Sequence, residues 1–129
     1  MSGRVVHFEV PFDDGDRARG FYKEIFGWQL QTMPEMGGYT LVMSGPSGDT
    51  GPTEAGFING GMMARAGGPA SAPVIVVDVD SIDATLEKIG GLGGSTVAAK
   101  MPVGDMGFAA YFTDPEGNVV GLWETAGKS

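Results

Sequence analysis

One order of secondary-structure elements occurs twice in this chain of 129 residues, and it constrains the fold more than any other feature. Apolar periodicity predicts a strand, a helix and three further strands in the first half, and the same series in the second half. Equivalent positions lie roughly 66 to 70 residues apart, which is longer than the repeats of solenoid proteins. The sequence therefore predicts two βαβββ modules, residues 1–66 and 74–129, joined by the linker 67–73.

The predicted elements are bounded by residues that favour helix caps and turns. Asp13 and Asp14 are candidate caps of the first helix, and Asp80 and Ser81 of the second. The predicted strands are 4–10, 28–33, 39–43, 55–64, 74–79, 95–99 and the two arms of a closing hairpin within 106–124, and the predicted helices are 17–26 and 82–89.

Three segments that contain proline or glycine lead to further predictions. Pro11 is predicted to end the first strand, and residues 44–53 form either an exposed loop or a mobile flap. Gly60 and Gly61 lie inside a predicted strand, which indicates a bulge or a close approach of another group to the backbone.

Two modules of this kind cannot each bury both faces of a sheet alone. We therefore expect one α+β domain over residues 1–129, with pseudo-twofold symmetry and curved, largely antiparallel sheets around a concave surface. A concave surface of this kind is a binding site by architecture.

The composition excludes several classes of function. The chain contains no cysteine, so disulfides, thiolate metal sites and cysteine nucleophiles are absent. A formal net charge of −8 argues against nucleic acid or anionic membrane as a partner. No apolar run approaches a membrane span and no signal peptide is visible, so a cytoplasmic protein is expected.

The closing segment 106–124, the opening run from His7 to Pro11 and the Phe26-Gly27-Trp28 segment give the chain a family resemblance. The sequence resembles the vicinal oxygen chelate superfamily, the group of glyoxalase I, bleomycin-resistance proteins, fosfomycin-resistance enzymes and extradiol dioxygenases. The resemblance covers nearly the whole chain and implies the paired-module fold described above.

The resemblance also implies a metal site. In metal-using members the ligands come from the first and last strands of each module, and His7 and Glu124 fall on two of those positions. Val74 and either Met62 or Met63 fall on the other two, and neither residue type suits a hard divalent cation. The implied site is thus a weak divalent one, for Zn, Ni, Mn or Fe, with an incomplete ligand set. Glu9, on the face of His7, is either a third ligand or a solvated side chain.

His7 and Glu124 each allow other interpretations. His7 is either a metal ligand or a pocket histidine bonded to Glu124 or to a backbone carbonyl. Glu124 is either a ligand and catalytic base or a solvated strand end. A metal-free pair of the two, acting as general base and orienting group, is a third alternative.

A set of apolar and polar side chains is predicted to line the substrate pocket, although core packing explains the aromatic ones equally well. The set comprises Glu9, Phe12, Tyr39, Met62, Phe108, Tyr111 and Trp123.

Three functions follow from the resemblance. The first is a glyoxalase-like enzyme, a metal-dependent lyase, isomerase or dioxygenase-like protein, with His7 and Glu124 as catalytic residues. The second is a metal-free small-molecule binding protein similar to bleomycin-resistance proteins, and the third is an accessory domain. A homodimer is expected, because the edges of short sheets favour pairing.

Overall fold

The structure is a computed structural model and describes residues 3–127. It contains two compact units. One unit comprises residues 7–73, and the other comprises residues 74–127 together with residues 3–6 at the start of the chain.

The unit of residues 7–73 is a sheet with one long helix. Its elements are β1 (Val5–Phe12, which begins in the other unit), α1 (Gly15–Phe26), β2 (Gln29–Met33), a 3₁₀ turn (Pro34–Met36), β3 (Tyr39–Met43), a hairpin of β4 (Ser47–Gly48) and β5 (Gly51–Pro52), and β6 (Gly60–Ala64). The strand order is β2-β3-β6-β1, in which β1 and β6 run parallel and the other neighbours antiparallel.

The two ends of helix α1 are set by its capping residues. Asp14 adopts an extended backbone, and its carboxylate accepts a hydrogen bond from the backbone N–H of Arg17. Gly27 ends the helix in the left-handed conformation, with φ of 71°. The predicted cap and stop are therefore both confirmed, and the helix begins two residues earlier than the apolar stripe indicated.

The second unit repeats the order, with longer strands after its helix. Its elements are β7 (Val74–Asp78), α2 (Ile82–Gly91), β8 (Ser95–Val103), β9 (Gly107–Thr113) and β10 (Val119–Thr125), in the sheet order β7-β10-β9-β8. Ser81 caps α2 through its hydroxyl, which accepts from the N–H of Ala84. Val79, Ile82, Ala110 and Leu122 form the core against which Leu86 and Ile89 of the helix pack.

Several predicted boundaries were wrong for identifiable reasons. Pro11 does not end β1, because a proline interrupts a sheet only where its missing N–H would face the partner strand; it pairs in register with Met63. The strand predicted at 95–99 continues to Val103, because two register shifts against β9 absorb its irregular pattern.

Residues 44–53 are not a plain loop. They contain the β4–β5 hairpin. The Asn59 side chain anchors this segment, because it accepts a hydrogen bond from the N–H of Ser44 and donates one to the Ser47 hydroxyl. The strand predicted at 55–64 is confined to Gly60–Ala64.

The fold class predicted from the sequence is confirmed. Two βαβββ series, with one hairpin inserted in the first, make an α+β protein. Neither helix within residues 3–127 has the length and apolar character needed to cross a bilayer.

Candidate functional site

Three polar side chains meet on one face of the sheet in the unit of residues 7–73. Glu9, Gly61 and Leu41 are register partners across three strands, so they share a face with His7 and Tyr39, which lie two residues along their strands. Helix α1 packs on the opposite face, where the Arg19 guanidinium donates to the buried Thr40 hydroxyl. The polar face is thus the one that the helix does not cover.

Tyr39 joins the other two polar side chains. Its hydroxyl donates to Glu9 Oε2 at 2.9 Å, and His7 Nε2 lies 3.0 Å from the same hydroxyl oxygen. Glu9 is only 5% exposed, so the alternative that it points to solvent is wrong. We call His7, Tyr39 and Glu9 the polar trio; it places a buried carboxylate, a phenol and an imidazole within one run of hydrogen bonds.

The trio depends on a glycine beneath it. A Cβ atom at Gly61 would lie 1.7 Å from the Tyr39 hydroxyl oxygen and 2.1 Å from Cζ of the same ring. Gly60 makes similar room for the Phe8 ring on the other face, because a Cβ atom there would lie 2.6 Å from the ring carbons. The close approach predicted from the glycine pair is therefore confirmed, and each glycine admits one ring.

Burial sets the charge of the imidazole. Desolvation lowers the pKa of His7 to about 4 from its usual 6.5. The ring is therefore neutral near pH 7, with one nitrogen carrying a proton and the other a lone pair.

A cavity of about 640 Å³ opens in the same unit beside Tyr39. It is lined by Phe12, Asp13, Asp14, Gly15, Asp16, Arg19, Thr32, Gly37, Gly38, Tyr39, Met63 and Ala64. Its volume falls within the usual range for small-molecule sites. Tyr39 belongs both to this lining and to the polar trio, whereas His7 and Glu9 are not among the lining residues.

Charged side chains at the α1 end of the cavity are fixed by ion pairs. Arg19 donates to Asp16 at 2.9 Å, and its guanidinium carbon lies 5.6 Å from the centre of the Phe12 ring. Arg65 pairs with Asp13 at 2.6 Å, and Asp14 is occupied by the helix cap. Three carboxylates and one guanidinium among the lining residues give this rim a negative balance.

In its own unit, Glu124 lies on the sheet face that packs against helix α2, whereas the polar trio lies on the sheet face that helix α1 does not cover. It is the register partner of Phe108, and two residues before it Leu122 enters the core beneath α2. Its Oε1 accepts from the backbone N–H of Ile82 at 2.8 Å, and its Oε2 accepts from Lys100 Nζ at 3.1 Å. The Glu124 side chain is 15% exposed, so the alternative of a solvated strand end is wrong. The carboxylate anchors the start of α2.

We expect Glu124→Ala to lower the free energy of unfolding by about 2 kcal/mol, because it removes an acceptor from a buried helix N–H and a partner from Lys100. Glu124→Gln retains an acceptor for Ile82 and should cost about half as much. Urea denaturation measures both. Glu87→Ala, which removes an exposed carboxylate from α2, is the control; an equal loss in the control and in Glu124→Ala would contradict the anchoring role.

The remaining predicted pocket residues divide by sheet face. Tyr111 and Trp123 lie on the face away from α2, whereas Phe108 packs against the core on the helix side. Met62 is completely buried and pairs with Thr40, while its neighbour Met63 lines the cavity. Sequence reasoning missed Arg19 and Thr32 as lining residues, since nothing in the helical or strand pattern distinguishes them from ordinary exposed positions.

The residues present do not fit a three-ligand metal site. Within residues 3–127, no three histidine, aspartate or glutamate side chains are grouped as metal ligands would be. Glu9 and His7 Nε2 share the Tyr39 hydroxyl, and Glu124 is held by Ile82 and Lys100. His7 and Glu124 belong to different units. The Tyr39 partner of His7 lies in the unit of residues 7–73, and the Ile82 and Lys100 partners of Glu124 lie in the other unit.

Comparison with known proteins places these features in a family context. Residues 4–45 match the model described as bleomycin resistance protein-like N-terminal. "Putative glyoxylase CFP32" of Mycobacterium tuberculosis is 30% identical over 119 residues, covering 86% of this chain and 41% of that protein. A glyoxylase-like domain-containing protein of Didymella fabae is 28% identical over 130 residues, covering 99% of this chain and 98% of that protein.

Solved structures give the same fold at low sequence identity. A methylmalonyl-CoA epimerase in complex with methylmalonyl-CoA and NH4+ has a TM-score of 0.66 at 16% identity, covering 100% of this chain and 99% of that one. A glyoxalase/bleomycin resistance protein/dioxygenase superfamily member from Vibrio splendidus 12B01 has a TM-score of 0.59 at 13% identity, covering 97% and 99%.

The paired βαβββ series defines a class of small α+β proteins whose solved examples include a methylmalonyl-CoA epimerase and a glyoxalase/bleomycin resistance protein/dioxygenase superfamily member. Within that class, this chain has the fold of a glyoxalase/bleomycin resistance protein/dioxygenase superfamily member, as its sequence resemblance predicted, and it is similar in sequence to glyoxylase-like proteins. The chain spans about two fifths (41%) of the length of the mycobacterial proteins that it matches.

Proposed function

We propose that this protein binds a small organic molecule at the cavity beside Tyr39, with the polar trio as its hydrogen-bonding anchor and without a resident metal ion. The observation that carries the proposal is the position of Tyr39, which lines the cavity and also bonds to the buried Glu9 and to His7. Tyr39 thus gives the cavity wall a residue whose hydroxyl is held by two hydrogen bonds, and we infer that this residue supplies the oriented polar contact of the ligand.

The electrostatics of the cavity favour a neutral or cationic ligand. The lining carries three aspartates against one arginine, and the whole chain has a formal net charge of −8. A negative field disfavours the approach of polyanions. Coenzyme A esters, named for one of the structural neighbours, are therefore poor candidates for this chain.

A proton-transfer enzyme is the second candidate, because a neutral imidazole beside a phenol is an arrangement that acid–base catalysis uses. The pKa of His7, about 4, weakens that candidate. A general base works best when its pKa lies near the operating pH. An imidazole with a pKa of about 4 has too weak an affinity for a proton to act as an effective base at pH 7. Binding is accordingly the function that the trio supports better.

A library of neutral and singly cationic small molecules, screened by ligand-observed NMR, tests the proposal. For a ligand found in this way, we expect Tyr39→Phe to weaken binding roughly tenfold in isothermal titration calorimetry, the loss of a single hydrogen bond. Tyr22→Phe removes a hydroxyl from α1, outside the cavity lining, and should leave the affinity unchanged. Equal affinities for wild type and Tyr39→Phe would contradict the proposal.

A further inference from the structure

We propose that Arg19 is the residue of the cavity beside Tyr39 that determines ligand specificity, and that it selects a ligand with an uncharged hydrogen-bond acceptor, such as the carbonyl oxygen of a ketone, an ester or an amide. The inference rests on the proposed function for the presence of a ligand and names the chemical class of that ligand. Arg19 is one of the lining residues of the cavity. An arginine guanidinium stays protonated in proteins and has no acceptor, so it can only donate hydrogen bonds.

The Arg19 guanidinium has more N–H groups than partners. Nη1 donates to the Thr40 hydroxyl at 3.2 Å, and Nη2 donates to the Asp16 carboxylate at 2.9 Å. No other hydrogen bond of Arg19 is found among residues 3–127, so these two bonds use only part of the five N–H groups of an arginine side chain. The side chain is 24% exposed. A partly desolvated donor without an acceptor is stabilised by a ligand that supplies one.

Three contacts fix the position of the guanidinium. Its Nη1 end is held by Thr40, a completely buried residue of β3. Its central carbon lies 5.6 Å from the centre of the Phe12 ring, an arrangement in which the ring attracts the cation. A Cβ atom at Gly15 would lie 2.8 Å from both terminal nitrogens, so the glycine provides the space in which they lie. Because the donor is already positioned, it loses little conformational freedom when a ligand binds.

The carboxylates of the lining disfavour a charged acceptor. Asp16 already pairs with Arg19, and Asp13 and Asp14 belong to the same lining. A ligand carboxylate would therefore be repelled by three like charges.

A cationic ligand is disfavoured for a different reason. Asp13 is paired with Arg65, and Asp14 caps α1. A ligand ammonium would have to compete for these carboxylates and would bring only donors to a guanidinium that lacks acceptors. An uncharged acceptor meets neither obstacle.

Acetophenone, benzylamine and benzoate test the ligand class, because each carries one phenyl ring with a carbonyl, an ammonium or a carboxylate group. The ring suits the apolar part of the lining, which comprises Phe12, Met63 and Ala64. In titrations of ¹⁵N-labelled protein at pH 7, acetophenone should shift the backbone amide signals of Gly37, Gly38 and Ala64 with an affinity about fivefold higher than that of either other probe. Equal affinities, a preference for benzylamine or benzoate, or no shift from any of the three would overturn the ligand class.

Arg19→Lys tests the role of the guanidinium. Lysine keeps the positive charge but lacks the planar fork that contacts Thr40 and a ligand at the same time. We expect Arg19→Lys to weaken acetophenone binding roughly tenfold and to leave the lower affinity for benzylamine unchanged, whereas general damage to the cavity would weaken both. Arg17→Lys makes the same change at an exposed position of α1 outside the lining and is the control. An unchanged affinity for acetophenone in Arg19→Lys, or an equal loss in Arg17→Lys, would overturn the assignment.

Gly15→Ala displaces the guanidinium without changing its chemistry, and it serves also if the backbone spectrum shows that Arg19→Lys does not fold. The new Cβ would occupy the space of the two terminal nitrogens of Arg19, so acetophenone binding should weaken. Gly20→Ala, on the same helix with no atom within 4 Å of its Cβ, should keep the wild-type affinity. Equal affinities of the two glycine variants would contradict the role of Arg19.

Failure of this inference and failure of the proposed function give different results. A screened ligand that Tyr39→Phe weakens and Arg19→Lys does not would support the proposed function and overturn the role of Arg19. Acetophenone binding that Arg19→Lys weakens and Tyr39→Phe does not would support the role of Arg19 and overturn that of Tyr39.

Discussion

Gly61→Ala is expected to lower the free energy of unfolding by about 3 kcal/mol, the combined cost of overpacking a buried site and of leaving buried polar groups without partners. The new Cβ would overlap the hydroxyl oxygen and ring carbons of Tyr39. Gly61 is held by register partners on both sides, Glu9 and Leu41. The backbone therefore cannot easily withdraw, and the phenol must leave Glu9 and His7.

A double-mutant cycle isolates this contact. Gly61→Ala should cost little in a Tyr39→Ala background, where no ring occupies the space, because the coupling between the two positions is the overlap itself. Gly20→Ala is the control, since its Cβ on α1 would meet no atom within 4 Å; there alanine should be neutral or stabilising by a few tenths of a kcal/mol up to about 1. Urea denaturation measures all four variants. An additive cycle would show that the ring does not depend on the glycine.

Acidification is expected to destabilise the protein through His7 by about 3 kcal/mol between pH 7 and pH 4. Burial holds the pKa of His7 at about 4 in the folded state, whereas the unfolded chain has the ordinary value of 6.5. Between pH 4 and pH 6.5, the imidazole is therefore largely protonated in the unfolded state and largely neutral in the folded state. The part of the free energy of unfolding that depends on His7 is therefore fully present above about pH 6.5 and is lost progressively as the pH falls toward 4.

His7→Gln provides the reference for this effect. Glutamine retains an amide N–H that can donate to Tyr39 and has no titrating group, while all carboxylates of the chain still titrate. The difference between wild type and His7→Gln in the pH dependence of the free energy of unfolding isolates the imidazole. Parallel pH profiles of the two proteins would mean that the ring is not desolvated as described.

The sequence predicted most of the fold because the signals are local. The caps at Asp14 and Ser81, the glycine stop at Gly27 and the turn before Asn118 each involve residues within a few positions of one another. The errors arose where a partner strand decides the outcome. Pro11 and Pro102 lie inside strands because of how β1 and β8 meet their neighbours, which no local pattern records.

The candidate site was predicted only in part, for a related reason. His7, Glu9 and Tyr39 were all named from the sequence, but their mutual hydrogen bonds span 30 and 32 positions and depend on the register of three strands. That Glu124 is a metal ligand was implied by the family resemblance, in which the last strand carries a ligand. Its alternation with Leu122, a core residue, was the available sign that it faces the helix side.

Calorimetric titration of a screened ligand in the presence and absence of a chelator tests the central claim most directly. The account predicts the same affinity and stoichiometry in both conditions, and weaker binding to Tyr39→Phe in both. Binding that disappears with chelator and returns with one equivalent of a divalent cation would contradict it.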